Sequence, residues 1–262
     1  MPLLFPGRPV LIAYITCGDP DLDTSREIAV AAARAGANVI ELGVPFSDPV
    51  ADGPVIQRAS ERALQKGTTL EHVLQLARKV RAHDRKVGLI VFSYLNPILR
   101  FGLERFCRAA AAAGLDGALI TDLPVEESAE YLRVMRKHKL ATVFLAAPTS
   151  TDDRLRRICE ASTGFVYAVS RTGVTGTRTQ VAEDARALVG RLRRFTRLPI
   201  AVGFGISTPE QAAEVGRFAD AAVVGSAMVE TIERAAPYGR AAEAVADFVR
   251  KLSAACVTAT AE

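Results

Sequence analysis

A carboxylate lies in the middle of a short apolar run. Glu41 occurs within the run Val39–Gly43, which follows the helix-ending Gly36 and is typical of a buried strand. A carboxylate there costs free energy unless it is paired or used. Burial also raises its pKa, because burial disfavours the charged form. We predict that Glu41 is an acid–base group; a structural ion pair is the alternative.

The loop that follows carries a second carboxylate, Asp52. Three prolines, each with a fixed φ, stiffen this loop: Pro45, Pro49 and Pro54. An ionised aspartate on a stiff loop suits a hydrogen bond to a donor that becomes more acidic during a reaction. The alternative for Asp52 is a turn role, since Asp before Gly is common in turns.

Eight apolar runs alternate with helical patterns along the chain. The predicted strands are residues 10–16, 39–43, 87–92, 117–121, 141–146, 165–169, 199–203 and 221–225. Runs that are apolar throughout are typical of parallel strands covered on both faces, and eight such units predict an α/β fold of the (β/α)8, or TIM, barrel type. A doubly wound open sheet is the alternative. We expect a single domain over residues 1–262, with a frayed tail at 253–262.

Three local features of the helices are also predicted. The helical pattern after the Asp52 loop is expected to start near Ile56 and to continue past Gly67. Residues 23–25 are expected to cap the first helix. Ser207 and Glu210 have the spacing of a capping box before the helix that follows the seventh strand.

In a (β/α)8 barrel the functional site lies where the strands end. All three histidines and all six lysines fall on helices or ahead of strands, so we expect neither a Schiff-base lysine nor a metal Lewis acid. Asp48 and Asp122 have the context of turn residues. The polar candidates at strand ends are Tyr14, Glu41, Asp48, Asp52, Tyr94, Asn96, Asp122, Tyr167, Ser170 and Arg171.

Glycines after the last strands predict a phosphate site. Residues 203–207 read Gly-Phe-Gly-Ile-Ser, and residues 223–227 read Val-Val-Gly-Ser-Ala. In barrels a phosphate often binds between these two loops, where backbone N–H groups and a helix N-terminus meet the anion. Simple turn glycines are the alternative. The Gly- and Thr-rich residues 170–179 are interpreted as a lid, or else as a disordered connector.

Composition excludes several classes of protein. The 262 residues are 49% hydrophobic, and no run approaches the roughly 18 apolar residues of a membrane span. The net charge of +4 comes without a basic stripe interleaved with aromatics, so nucleic-acid binding is not expected. None of the four cysteines forms a CxxC motif, and zinc is not expected. With no signal peptide apparent, a cytoplasmic protein is predicted.

These residues resemble the tryptophan synthase alpha chain family over nearly the whole chain. The signature is Glu41-Leu-Gly-Val-Pro-Phe-Ser-Asp-Pro49 together with Ala51-Asp-Gly-Pro54. Supporting stretches are 16–20, 122–124, 147–149, 170–176 and 203–207.

The resemblance implies a reaction and roles for residues. The substrate would be indole-3-glycerol phosphate, cleaved by a retro-aldol lyase reaction to indole and glyceraldehyde 3-phosphate. Glu41 would be the acid–base group and Asp52 would hold the indole nitrogen. The implied substrate-binding residues are Tyr14, Phe92, Leu119, Tyr167, Thr175, Gly176, Phe204, Gly205, Gly225 and Ser226.

The resemblance also implies a partner, a beta chain that receives indole in an α2β2 heterotetramer. Pyridoxal phosphate would belong to that partner, with no cofactor in this chain. Three alternatives remain open: a stand-alone indole-3-glycerol-phosphate lyase that releases indole, another phosphate-binding barrel, and a chain retained only to regulate a partner. The intact Glu41 and Asp52 count against the last.

Overall fold

The computed structural model describes Phe5 and residues 9–169, 178–203 and 205–258. Eight parallel strands close into a barrel in sequence order, with the last strand returning to the first through the pairing of Val10 with Ala221. The strands are β1 (Val10–Thr16), β2 (Val39–Gly43), β3 (Gly88–Ser93), β4 (Gly117–Ile120), β5 (Ala141–Ala146), β6 (Val166–Val169), β7 (Ile200–Gly203) and β8 (Ala221–Val224). The predicted (β/α)8 barrel is confirmed.

Helices cover the outside of the barrel. They are α1 (Leu22–Ala35), α2 (Pro54–Gln65), α3 (Leu70–His83), α4 (Leu95–Phe101), α5 (Leu103–Ala112), α6 (Ala129–Lys137), α7 (Asp152–Ala161), α8 (Arg178–Leu192), α9 (Pro209–Gly216), α10 (Ser226–Ala235) and α11 (Ala241–Thr258). Two short 3₁₀ helices, Val125–Glu127 and Ala236–Tyr238, complete the described elements.

Alternate residues of each strand enter two different cores. In β1, Val10 and Ile12 join an apolar cluster inside the barrel, whereas Leu11 and Ala13 join the larger cluster between barrel and helices. Side chains alternate across a strand, so both faces must be apolar to fill both cores. This explains why the strands could be recognised as continuous apolar runs.

The predicted continuous helix after the Asp52 loop is wrong, because the structure has two helices there. α2 ends at Gln65, and Gly67 adopts a φ of +73° that interrupts the helix. Thr69 then starts α3, since its side chain accepts a hydrogen bond from the backbone N–H of His72. Apolar spacing continues across the break, and so it does not reveal this change of direction.

Two predicted helix caps are misplaced by one or two residues. Asp21 caps α1, and its Oδ1 accepts a hydrogen bond from Thr24 N at 2.8 Å. Thr208, one residue after the predicted Ser207, forms the capping box of α9 with Gln211. Proline at the first position of α9 fixes where that helix begins.

The C-terminal tail is ordered further than we predicted. Residues 253–258 continue α11 instead of fraying. Ser253 Oγ donates to the carbonyl oxygen of Gly36 at 3.1 Å, and Cys256 is buried. Contacts with α1 and α9 therefore hold this segment, which sequence composition alone does not indicate.

No helix in the described part of the chain is long and apolar enough to cross a membrane. The four cysteines are free and buried, and burial raises the pKa of the Cys17 thiol far above its ordinary value. Cys17, which follows β1, is therefore a packing residue and not a thiolate nucleophile.

Candidate active site

Glu41 lies inside the barrel. It sits in β2 between Tyr14 of β1 and Ile90 of β3, and it shares its face of the strand with Val39 of the interior cluster. Only 1% of Glu41 is exposed, and its Oε1 atom has no hydrogen-bond partner among the described residues. Burial raises the pKa of this carboxyl to about 8. A buried carboxyl with an unsatisfied oxygen is suited to meet a ligand.

The loop between β2 and α2 holds Asp52 in a defined turn. Its backbone N–H donates to Pro49 O at 3.0 Å, and its carbonyl accepts from Gln57 Nε2 at 2.8 Å. Burial raises the pKa of the Asp52 carboxyl to about 6, although hydrogen bonding from Tyr94 opposes the shift. Asp52 is half-buried and therefore accessible to a ligand, and its charge acts on Tyr14 at the mouth of the barrel.

The two carboxyls have different protonation states near neutral pH. With a pKa of about 8, Glu41 is mostly protonated at pH 7, whereas Asp52, with a pKa of about 6, is mostly ionised. Two carboxyls whose pKa values are driven apart provide an acid and an anion in one site.

Two tyrosine side chains lie beside Glu41, and each fills space left by a glycine. A Cβ at Gly43 would overlap the Tyr14 hydroxyl, and a Cβ at Gly203 would overlap the Tyr167 hydroxyl. The charges of Glu41 and Asp52 add to burial in raising the Tyr14 pKa, and Glu41 does the same for Tyr167. Both phenols therefore stay protonated and can donate hydrogen bonds near the carboxyls.

The aromatic wall of the mouth continues from Tyr14 to Phe92. Their rings meet edge to face with centroids 5.1 Å apart, and Phe92 is only partly buried. Leu119 of β4, the register partner of Phe92, is fully buried in the interior cluster. The structure thus brings together Tyr14, Glu41, Phe92 and Tyr167, with Leu119 beside Phe92.

Gly225 and Ser226 begin α10 at the edge of the same mouth. Gly225 is the N-cap and makes no side-chain capping bond, and its carbonyl oxygen accepts from Met228 N and Val229 N. The N–H groups of Ser226 and Ala227, at the first two positions of α10, can therefore meet an anion. A Cβ at Gly225 would lie 4.0 Å from Tyr14 Cβ, which puts this helix start next to the aromatic wall. Gly205 has a φ of +67° with open space around it. Thr175, Gly176, Phe204 and the predicted lid before α8 lie outside the described residues.

The other two aspartates considered from the sequence, Asp48 and Asp122, make side-chain hydrogen bonds. Asp122 accepts one from Leu95 N at 2.7 Å, which links the loop after β4 to the start of α4, and Asp48 accepts one from Ser47 Oγ at 2.6 Å. No group of three or more metal-ligating His, Cys, Asp or Glu side chains occurs in the described ranges.

No role for Tyr94 is predicted from the sequence, although it follows β3, where site residues are expected. Its hydroxyl accepts a hydrogen bond from Ala51 N at 2.9 Å. Sequence reasoning also missed Arg62, which pairs with the buried Asp19 through two bonds of 2.8 Å and with Glu233 at 2.7 Å. Neither contact follows from spacing, because each joins residues that are more than 40 positions apart.

Comparison with known proteins gives a consistent result. The family model described as tryptophan synthase alpha chain matches residues 3–257. A tryptophan synthase alpha chain of Solibacter usitatus is 54% identical over 246 residues, covering 94% of this chain and 92% of the relative. One from Acidiphilium cryptum is 50% identical, covering 95% and 92%.

Solved structures give the same picture. The crystal structure of a tryptophan synthase alpha chain from Legionella pneumophila is similar with a TM-score of 0.89 and 35% identity, covering 97% of this chain and 94% of that one. A chain of the Mycobacterium tuberculosis tryptophan synthase has a TM-score of 0.86 and 35% identity, covering 95% and 93%.

Proposed function

We propose roles for the site residues from one premise: this chain belongs to the tryptophan synthase alpha chain family. It is an enzyme of tryptophan biosynthesis that cleaves indole-3-glycerol phosphate to indole and glyceraldehyde 3-phosphate, a lyase reaction. The stand-alone lyase that releases indole is not favoured, because the matched relatives are named as alpha chains.

Glu41 moves the proton that the reaction requires. The indole ring leaves only after protonation at its C3 atom, and the glycerol hydroxyl next to the breaking bond must lose a proton. The protonated Glu41 carboxyl gives its proton to C3, and the resulting carboxylate takes the hydroxyl proton as the carbon–carbon bond breaks. The enzyme returns to its starting state. A pKa of about 8 suits a group that must both give and take a proton near neutral pH.

Asp52 accepts a hydrogen bond from the indole N–H. Positive charge develops on the ring when C3 is protonated, and an ionised carboxylate next to the nitrogen stabilises it. The backbone of Asp52 is also held by hydrogen bonds to Pro49 O and from the Gln57 side chain, which pre-positions the carboxylate. We expect each of the two carboxyls to contribute on the order of 10²–10⁴ in rate.

The remaining predicted residues bind the two ends of the substrate. Tyr14, Phe92 and Leu119 flank the indole, and Tyr167 donates to oxygens near the breaking bond, with Thr175 completing the closed site. The phosphate binds at the start of α10, where free N–H groups and the helix dipole favour an anion. The phosphate residues are Gly176, Phe204, Gly205, Gly225 and Ser226.

An alpha chain implies a beta chain as partner. We propose that the assembly is an α2β2 heterotetramer in the cytoplasm, that this chain is one (β/α)8 domain, and that indole passes directly to the partner. The chemistry derived for Glu41 and Asp52 uses side chains alone, so this chain is proposed to need no cofactor. Pyridoxal phosphate is proposed only for the beta chain.

The observation that carries the proposal is the buried Glu41 carboxyl, whose Oε1 atom has no hydrogen-bond partner among the described residues. It lies at the mouth of the barrel, which Asp52 and Gly225 border. The test is indole formation from indole-3-glycerol phosphate, measured with and without an added tryptophan synthase beta chain. We expect measurable turnover alone and strong stimulation by the partner. High turnover that the beta chain does not change would support the stand-alone lyase, and no indole in either case would refute the proposed function.

A further inference from the structure

Tyr94 joins the end of β3 to the loop that carries Asp52. Only 2% of this tyrosine is exposed, although it lies at the mouth of the barrel. Its hydroxyl oxygen accepts the hydrogen bond from Ala51 N at 2.9 Å, immediately before Asp52 in the chain. A phenol that accepts one bond still has its own proton to donate.

The ring of Tyr94 holds the other end of the same loop. Its centroid lies 5.0 Å from that of Phe46, with the two planes inclined by 33°. Phe46 is near the start of the loop and Ala51 is near its end, so one side chain contacts both ends. The backbone after Tyr94 is itself fixed, because Leu95 N donates to Asp122 Oδ1 at 2.7 Å.

The Tyr94 hydroxyl lies against the backbone N–H that precedes Asp52, so its own proton is available to the Asp52 carboxylate. Burial raises the pKa of Asp52 and hydrogen bonding from Tyr94 opposes that shift, while burial and the nearby charge of Asp52 raise the pKa of Tyr94. The charge of Asp52 also adds to burial in raising the pKa of the Tyr14 hydroxyl of β1. The charge of Asp122, from the loop after β4, is a further contribution to the raised pKa of Tyr94.

We propose that Tyr94 is a positioning residue for Asp52: its ring fixes the loop, and its hydroxyl orients the carboxylate and keeps it ionised for the indole N–H. The inference rests on the role proposed for Asp52. Tyr94 acts through Asp52 and does not itself touch the reacting atoms.

The substitution Tyr94→Phe removes only the hydroxyl and keeps the ring on Phe46. Asp52 then loses a charge-assisted hydrogen bond and titrates at higher pH. The expected results are a fall in kcat of about tenfold at pH 7 and a KM changed by less than about twofold. The acid limb of kcat/KM moves to higher pH, so the loss is larger at pH 6 than at pH 8. The substrate phosphate also titrates near pH 6, but it does so equally in all variants.

The experiment compares four variants of the full-length chain. Tyr131→Phe is the matched control, because it also removes a buried hydroxyl. That hydroxyl donates to Ala118 O over 3.2 Å and lies away from the site. It should leave kcat and the acid limb unchanged. Asp52→Asn tests the proposed role of Asp52 and should lower kcat by about 10² or more. The double variant should be no worse than Asp52→Asn alone, since Tyr94 acts through that carboxylate.

The outcomes separate this inference from the proposed function. If Asp52→Asn is nearly inactive while Tyr94→Phe keeps wild-type kcat and its acid limb, the role of Tyr94 is refuted and that of Asp52 stands. If Asp52→Asn keeps near-normal turnover, both are refuted. Tyr94 would be merely structural if Tyr94→Phe lowered kcat equally at all pH values and lowered it further in the Asp52→Asn background. The same conclusion would follow if Tyr94→Phe were the one variant that unfolded.

Discussion

Gly43 leaves the space that the Tyr14 side chain occupies at the mouth of the barrel. A Cβ at Gly43 would lie 2.6 Å from Tyr14 Cζ, closer than a real carbon contact allows. The same relationship holds between Gly203 and Tyr167. Two glycines at strand ends therefore make room for the two phenols beside Glu41.

Gly43→Ala should displace the Tyr14 ring, lowering stability by about 1–3 kcal/mol and reducing kcat/KM. In a Tyr14→Leu background the same change should cost less than about 0.5 kcal/mol, because the clash is gone. Urea unfolding of the four proteins measures this coupling. Gly190→Ala is the control, since nothing lies near its added Cβ and its helix favours alanine. Equal costs in both backgrounds would contradict the account.

The pH dependence of kcat/KM should be bell-shaped. Activity needs Asp52 ionised and Glu41 protonated, so it should rise as the pH passes about 6 and fall as it passes about 8, the pKa values of these two groups. Initial rates of indole formation between pH 5 and 9 measure both limbs. A profile that stays flat up to pH 9 would contradict the assignment of Glu41 as the acid.

Glu41 should reduce the stability of the folded chain as the pH rises. Its pKa is about 8 when folded and near the ordinary 4.5 when unfolded, so between these values the unfolded state binds fewer protons. Raising the pH through this window therefore favours unfolding. Glu41→Gln should be more stable than the wild type at pH 8, by a few kcal/mol at most, and should lose this advantage near pH 5.

Urea unfolding at pH 5 and pH 8 measures the effect, with the exposed Glu160→Gln as control. An equal stability difference at both pH values would mean that the Glu41 carboxyl is not protonated in the folded chain.

Arg62 ties three elements around the site together. It bonds to Asp19 after β1 and to Glu233 of α10, and Asp19 is only 4% exposed. Arg62→Met would leave the Asp19 charge buried without this partner, at a cost of about 3 kcal/mol. Arg58→Met should cost less than about 0.5 kcal/mol, because Arg58 is 51% exposed and makes only long contacts, with Glu233 at 3.3 Å and with Pro54 O at 3.4 Å.

Thermal unfolding of the two arginine variants tests this difference. Adding Asp19→Asn to Arg62→Met should recover part of the loss, because it removes the unpaired charge. If the two arginine variants have the same midpoint, the pair with Asp19 does not stabilise the fold.

The barrel could be predicted from sequence because its strands are apolar on both faces. The run at 39–43 was located to the residue, and Glu41 was conspicuous as the one charge within it. Helix α4 was missed, since it is only seven residues long and Tyr94 before it makes no side-chain cap. The sequence predicts a helix through Gly67, because the apolar spacing continues on both sides of it.

The details of the site depend on contacts between distant strands. Strand register places the Tyr14 side chain against Gly43. The path of the loop places Ala51 N against the Tyr94 hydroxyl. Residue types at strand ends identify candidates, but they do not reveal which hydroxyl meets which backbone group. These contacts therefore had to come from the structure.

The central claim is that the Glu41 carboxyl carries the proton of the cleavage reaction. The most direct test is to measure how fast Glu41→Gln forms indole in a single turnover with saturating indole-3-glycerol phosphate. Glu160→Gln is the matched control, and substrate binding is measured in parallel. We expect Glu41→Gln to bind the substrate with little change and to form indole at least 10²-fold more slowly, whereas Glu160→Gln should behave as the wild type. Indole formation by Glu41→Gln at a near-normal rate would contradict the claim.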